Sequence, residues 1–413
     1  MTHGALLDTL RETLTFEPSA ERVGNLTIGR GTLDGRVVHV TLIENYIASG
    51  SLGQAECEHL GAIFEHVAHD RTPLVMYIDS AGARVSEGLR ALGGFRSLYR
   101  AGLGAALAGA PIAAVLGRNC FGGASMLAHL AQRRLFGPDT SLAMSGPAVI
   151  AAASGLDPTD EAFRAMARAT FSPPSRAKAT SDNTVWATGV DVAGWLRHAL
   201  QPPALGAFEA RHKALRTRLE DAPAQATSAV YREELKRIYT SHEARETDGV
   251  IEGEGERDGA REAILGLVDN RPVNAARAWR LADAAWRLAA NPPARLEVFL
   301  DSASHAARLD EERRVLSEFI VDMGAALASL AANGTRVGLT ITGRAGGGVY
   351  VALAAPALQV ASVYARARIE VLPGVAVAAI LGKTRDEAPA FPEYRAAGVA
   401  DEELKLGYLP ANP

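Results

Sequence analysis

The chain has 413 residues, a formal charge of −4 and a hydrophobic share of 48%. At roughly 150 residues per domain this length implies two or three domains, and the apolar content excludes disorder as the main state. The near-neutral balance argues against nucleic-acid binding, and no run reaches the ~18 apolar residues of a membrane helix. No basic start with an apolar core reads as a signal peptide. Two cysteines, Cys57 and Cys120, are too few for a zinc ribbon or a disulfide framework. The expectation is a cytoplasmic protein without bound metal, and without nucleic-acid or membrane partners.

A short helix is predicted around Leu6–Leu14, then a β-branched strand over Val37–Leu42 and a small-residue loop, Ser49–Gly53. A helix follows over Gln54–Ala68. Leu74–Ile78 is a continuous apolar run, as in a strand buried on both faces, and ends in Asp79-Ser80-Ala81-Gly82. After a helix over Ser86–Ala108, a second buried strand, Ile112–Leu116, ends in Gly117–Gly123, where another helix begins. Strands near Arg134–Phe136 and Ser141–Met144 lead to Ser145-Gly146-Pro147.

The second half repeats this order. Leu296–Leu300 ends in Asp301-Ser302-Ala303-Ser304, and a long helix is expected over Leu309–Ala332. Val337–Thr342 ends in a glycine cluster, Gly343–Gly348, at the start of a helix. Leu358–Val363 and Ile369–Leu372 precede Pro373-Gly374. Asp79 and Asp301 stand 222 positions apart; Gly117 and Gly343, like Pro147 and Pro373, stand 226 apart. One ββα unit used twice explains this, whereas a solenoid would have a far shorter period. The expected division is 1–200, then a charged helical connector over 201–290, then 291–413. Within the connector, helices are expected at Ala207–Arg218 and Arg232–His242, and a mobile loop at Thr247–Gly259.

Small residues at a strand end allow a backbone to approach a ligand closely. The helix that follows offers unpaired N–H groups and a partial positive charge. Two such turns converging on one point would form an oxyanion hole, worth roughly 3 kcal/mol per donor. Gly-Gly after a strand also serves plain helix–sheet packing, but two matched pairs at a near-constant offset favour the site. Neither copy has G-x-G-x-x-G after its first strand, and no lysine stands in a glycine loop, so dinucleotide and P-loop sites are not supported.

Ser49–Gly53, Asp79–Arg84 with Glu87-Gly88, Asn119–Ser125 and Ser145–Pro147 together resemble the carboxyltransferase family of the crotonase-like superfamily. Within it, Val185–Asp191 is similar to a segment of the malonate decarboxylase β subunit. Asp301, Asp310–Glu312, Gly343–Tyr350 and Ile369–Pro373 with Ala376 are similar to the γ subunit, so the chain looks like a β–γ fusion. The resemblance covers most of 35–195 and 295–385. It implies an α/β fold of two crotonase-like (ββα superhelix) domains in tandem, normally oligomeric. It also implies decarboxylation or carboxyl transfer on a malonyl thioester, independent of biotin, through an enolate held by backbone N–H groups.

Under that resemblance the oxyanion donors are Gly82, Ala83, Gly122 and Gly123 in the first copy, and Gly347 and Gly348 in the second, with Ala303 and Ser304 beside them. Ser80, Arg84, Asn119 and Ser145 would position the substrate, Arg84 through a bidentate guanidinium–carboxylate match. A surface or interdomain ion pair is the other reading of Arg84. No tightly bound cofactor is implied; coenzyme A or phosphopantetheine would carry the substrate. Arg211, Arg216, Arg218, Arg232 and Arg237 either dock an acidic acyl carrier protein or form a solvated helix face.

The second copy departs from the pattern, with no glycine within 301–304 and with Ala345 in its glycine turn. A biotin-dependent acyl-CoA carboxyltransferase and a non-catalytic scaffold that docks a carrier protein stay open. Gly123-Ala124-Ser125-Met126 also resembles the nucleophile turn of a related serine protease, but the base-bearing place in that family is Ser145 here. Paired glutamates, which enoyl-thioester hydration would want, are missing from 124–132.

Overall fold

A computed structural model describes residues 2–187, 189–219, 230–364, 366–382 and 389–405. Thr188, residues 220–229 of the expected connector, 383–385 of the resemblance and 406–413 of the last expected domain lie outside the described residues.

The first half builds one sheet from β1 (Glu17–Pro18), β2 (Leu26–Leu33), β3 (Arg36–Ile43), β4 (Leu74–Ser80), β5 (Ile112–Phe121), β6 (Arg133–Phe136), β7 (Ser141–Ala143) and β8 (Asn183–Val185). The β2–β3 hairpin is antiparallel, whereas β3, β4, β5, β6 and β8 run parallel in that order, with β7 pairing the far end of β5. Every residue of β4 is buried, which explains its unbroken apolar run.

The second half repeats the plan with β9 (Ser241–Thr247), β10 (Val250–Arg257), β11 (Ala260–Asn270), β12 (Arg295–Ser302), β13 (Arg336–Ile341), β14 (Arg344–Gly346), β15 (Gln359–Val363), β16 (Arg368–Glu370) and β17 (Glu402–Leu404). The antiparallel β10–β11 hairpin leads into parallel β11, β12, β13, β15 and β17, while β16 pairs β14 as β7 pairs β5. The α/β class and the tandem of two ββα units, the architecture expected of crotonase-like chains, hold.

Four local expectations are corrected. Among the described residues of 201–290, the expected helical character is met at Ala207–Leu215 with the 3-10 turn Arg216–Arg218, at Val230–Ile238 and at Ala275–Ala289; β9, β10 and β11 lie between the last two helices. The expected mobile loop Thr247–Gly259 is mostly β10, whose alternating charges are paired across the sheet, Arg245 with Glu252 and Arg261 with Glu254. The expected helix Leu309–Ala332 breaks into Leu309–Arg313 and Leu316–Ala332 because Val315 adopts φ 62°. Gly117–Phe121, read as a turn, continues strand β5.

The halves share one core. A single apolar cluster contains Leu98, Tyr99 and Met126 from the first and Leu316, Phe319, Val349 and Tyr350 from the second. Arg96 reaches across to Asp401 at 2.8 Å and to the Gly398 carbonyl at 3.0 Å; Arg100 donates to the Ala355 and Ala357 carbonyls at 2.6 Å. These cations meet the C-terminal end of helix Gly347–Ala354, where free carbonyls favour them.

Candidate functional site

The two halves place their strand-to-helix turns around one cleft of about 90 Å³. Its walls are largely apolar, with Leu92, Phe95, Phe121, Val351 and Leu372 among them. From the first half, Ala83, Gly122, Gly123 and Ser145 line it; from the second, His305, Gly347 and Gly348.

The first turn is shaped by two positive-φ glycines. Gly82 has φ 90° and Gly122 φ 55°. A Cβ on Gly82 would stand 2.7 Å from the Phe121 carbonyl and 3.0 Å from the Gly123 nitrogen, so the two turns touch only because position 82 has no side chain. The Gly122 N–H donates to the Met144 carbonyl at 3.1 Å, and the Gly82 N–H to Ser80 Oγ at 3.1 Å. Those two expected donors are therefore engaged inside the protein. The Ala83 and Gly123 N–H groups have no acceptor among the described residues.

The structural register of the repeat follows from shared contacts. Asp79 Oδ1 accepts from the Asn119 N–H at 3.0 Å, and Asp301 Oδ1 accepts from the Arg344 N–H at 2.9 Å. Leu52 bridges Ala83 as Val273 bridges His305. Gly82 thus corresponds to Ser304, Ala83 to His305, and Gly122 to Gly347, with φ 54° at Gly347. Ser304 adopts φ 133°, a conformation that glycine fills more easily. The N–H groups of Ala303, Ser304, His305, Gly347 and Gly348 have no acceptor among the described residues, so the second turn is not locked.

The remaining predicted positions lie away from the cleft lining. Ser80 is fully buried and caps the Gly82 N–H. Asn119 sits on Asp79. Arg84 pairs with Glu56 and, at 2.9 Å, with Glu87, and donates to the Ser51 carbonyl at 2.7 Å, so the ion-pair reading describes it. Arg211 donates to the His129 carbonyl, and Arg218 to the Arg314 carbonyl and Glu318. Both guanidinium groups are part-buried against these acceptors. Arg232 contacts the Tyr231 hydroxyl, and Arg216 and Arg237 also have partners. Ser125 donates to the Gly122 carbonyl at 2.7 Å, as a helix-start residue does, and its helix neighbour His129 is fully buried against Ser317.

One functional group escaped the sequence reading. His305 Nε2 lies 2.8 Å from Ser145 Oγ, across the junction of the halves, and its Nδ1 lies 3.1 Å from Ser304 Oγ. Burial pushes the imidazole down to about 4, so it is neutral at physiological pH. Glu312 accepts from the Ser145 and Met144 N–H groups at 2.7 and 3.1 Å. Burial raises this carboxyl to about 7, outweighing Arg176 at 3.9 Å and the two N–H groups. Extending the internal offset by four residues, from Asp301 to His305, would have found the histidine opposite Ala83.

The Pseudomonas malonate decarboxylase hetero-tetramer in complex with malonate aligns with a TM-score of 0.45 and 19% identity, over 57% of this chain and 97% of that one. The transcarboxylase 12S structure aligns at 0.38 and 17%, over 97% and 86%. The propionyl-CoA carboxylase carboxyltransferase subunit of Haloferax mediterranei is 33% identical over 132 residues, 32% of this chain and 25% of that protein. The methylmalonyl-CoA carboxyltransferase 12S subunit of Propionibacterium freudenreichii subsp. shermanii is 32% identical over the same shares. The chain thus spans about a quarter of the length of the curated relatives it matches. Residues 13–197, which contain the whole first turn pair and Ser145, match the carboxyl transferase domain family.

Proposed function

We propose that the chain is an enzyme that decarboxylates, or transfers the carboxyl of, a malonyl thioester borne by coenzyme A or an acyl carrier protein. The observation that carries this reading is the cleft itself: two glycine turns whose N–H groups have no acceptor among the described residues face an apolar space that no described lysine or arginine lines. Cleaving a carboxylate beside a thioester leaves an enolate. Its negative oxygen needs fixed donors in a dry site, and a strong base is not required. The Ala83 and Gly123 N–H groups are the proposed donors of the first turn, and those of Gly347 and Gly348 of the second. An apolar cleft also disfavours a buried carboxylate, and its departure as CO2 relieves that cost.

Biotin independence belongs to this proposal. The second reading, transfer between biotin and an acyl-CoA, is favoured by the names of the matched relatives, a propionyl-CoA carboxylase subunit and a methylmalonyl-CoA carboxyltransferase subunit. Oligomerisation is likewise proposed. The test is to incubate the protein with malonyl-CoA and with malonyl carrier protein, without biotin, and follow CO2 and acetyl thioester. Turnover of either is the expected result. Carboxyl exchange only after biotin is added would replace the first reading with the second, and inertness in every arm would defeat both.

A further inference from the structure

We propose that His305 is the counter-charge to the substrate carboxylate and, through Ser145, the proton source for the enolate carbon. This inference rests on the malonyl-thioester reading above. Among the described residues that line the cleft, only Ser145 and His305 bring polar side chains, and of these the imidazole is the group that can become a cation. A carboxylate entering the cleft therefore meets, among the described residues, one group able to offset its charge.

The imidazole sits in place for both roles. Its Nε2 is 2.8 Å from Ser145 Oγ, and its Nδ1 is 3.1 Å from Ser304 Oγ, a neutral partner on its own loop. From the other elements, Ser145 follows β7 and the Gly347 turn brings no side chain. Glu312, on helix Leu309–Arg313, is spent on the Ser145 and Met144 N–H groups, with Arg176 of helix Pro173–Ala179 beside it. Among the described residues no charged side chain pairs with the ring, and burial keeps it neutral. An arriving carboxylate supplies the missing negative charge, and His305 takes one proton from water.

The sequence of events balances. The bond between the carboxyl carbon and the α-carbon breaks, CO2 leaves, and the electron pair remains as an enolate on the thioester. The α-carbon then takes the Ser145 hydroxyl proton while Ser145 Oγ takes the Nε2 proton. Histidine returns to neutral, and the net change is one malonyl carboxylate plus one proton giving CO2 and the acyl thioester.

The test uses the full chain with malonyl-CoA and with the carboxymethyl thioether of coenzyme A, which cannot decarboxylate. For the parent protein, kcat/KM should fall about tenfold per pH unit from pH 5 to 8, because the free enzyme must gain a proton. Calorimetry of thioether binding in buffers of different ionisation heat should show uptake of one proton. His305→Gln should lose about 100-fold in kcat, flatten the pH profile and abolish the uptake. Ser145→Ala should keep the uptake and lose turnover. Should His305→Gln fail to fold, the two measurements on the parent still decide. A turning-over parent with a flat profile and no proton uptake overturns this inference and leaves the proposed function standing. A parent inert toward malonyl thioesters overturns both.

Discussion

The same backbone turn is built twice and furnished differently. After β4 it carries Gly82 and Ala83; after β12 it carries Ser304 and His305. In the turn after β4, Gly82 and Ala83 offer the cleft backbone and no polar side chain. In the second, an imidazole has been added to a turn of the same shape, at the expense of an unfavourable φ of 133° at Ser304. Duplication preserved the scaffold, including the aspartate that holds each second turn, Asp79 and Asp301. It left the side chains facing the cleft free to diverge. On the function proposed, one turn stabilises charge and the other also moves protons.

The largest effect should come from removing the feature that only the first half has. Gly82→Ala forces a Cβ to within 2.7 Å of the Phe121 carbonyl, so the two first-half turns must part. Turnover of malonyl-CoA should drop on the order of 100-fold, the scale seen when an oxyanion donor is lost. Full activity in that variant would mean that the second turn alone serves the reaction.

Arg84 tests the comparison from outside the cleft. Arg84→Ala leaves the carboxylate of Glu56, 1% exposed, without its guanidinium partner. Chemical denaturation should show a loss of about 3 kcal/mol, while the folded fraction keeps the parent KM. A large KM increase at unchanged stability would return Arg84 to the substrate.

Glu312 ties the halves together and should do so in a pH-dependent way. Its folded value, about 7, lies above the ordinary carboxyl range, so between about pH 4 and 7 the folded state holds more protons than the unfolded one. Its contribution to stability therefore falls as pH rises through that window. Glu312→Gln should remove this slope, read as the variant-minus-parent difference in unfolding free energy from pH 4 to 8. The difference is the proper readout because His305, depressed to about 4, acts with the opposite sign. A difference that does not vary with pH would show Glu312 ionised throughout.

The smallest effect is expected at Ser304. Ser304→Gly relieves strain of about 1 kcal/mol and loses the hydrogen bond to His305, also about 1 kcal/mol. The melting temperature should stay within a few degrees. A drop much beyond that would mean that the Ser304–His305 contact outweighs the backbone strain.

Much of this architecture was legible because its signals were local. β4 and β12 are apolar runs that end in aspartate and small residues, and the glycine clusters mark the second turn of each unit. The hairpin of β10 and β11 was not legible: its charges, neutralised only by cross-strand partners, read as solvated loop until the pairing is known. Of the expected site positions, Ala83, Gly122, Gly123, Ser145, Gly347 and Gly348 come together at the cleft, whereas Ser80, Arg84 and Asn119 serve the turns from behind. Which N–H groups remain unpaired depends on contacts such as Gly122 with Met144, 22 residues on, which no spacing rule reveals. His305 was hidden for a related reason: its partner, Ser145, lies 160 residues away.

The shared core has a further implication for ligand traffic. Because one apolar cluster and the Arg96 and Arg100 contacts run through both halves, the cleft cannot open by swinging them apart without unfolding the centre of the molecule. Thermal unfolding should follow as one cooperative event. On the function proposed, entry would fall to the rim, where helix Gly374–Leu381 rests on helix Pro147–Ser154 with only Ala376 buried, and Ile380 lines the cleft while 46% exposed. The rim of the cleft is thus a helix with one buried residue, set on a core that both halves share.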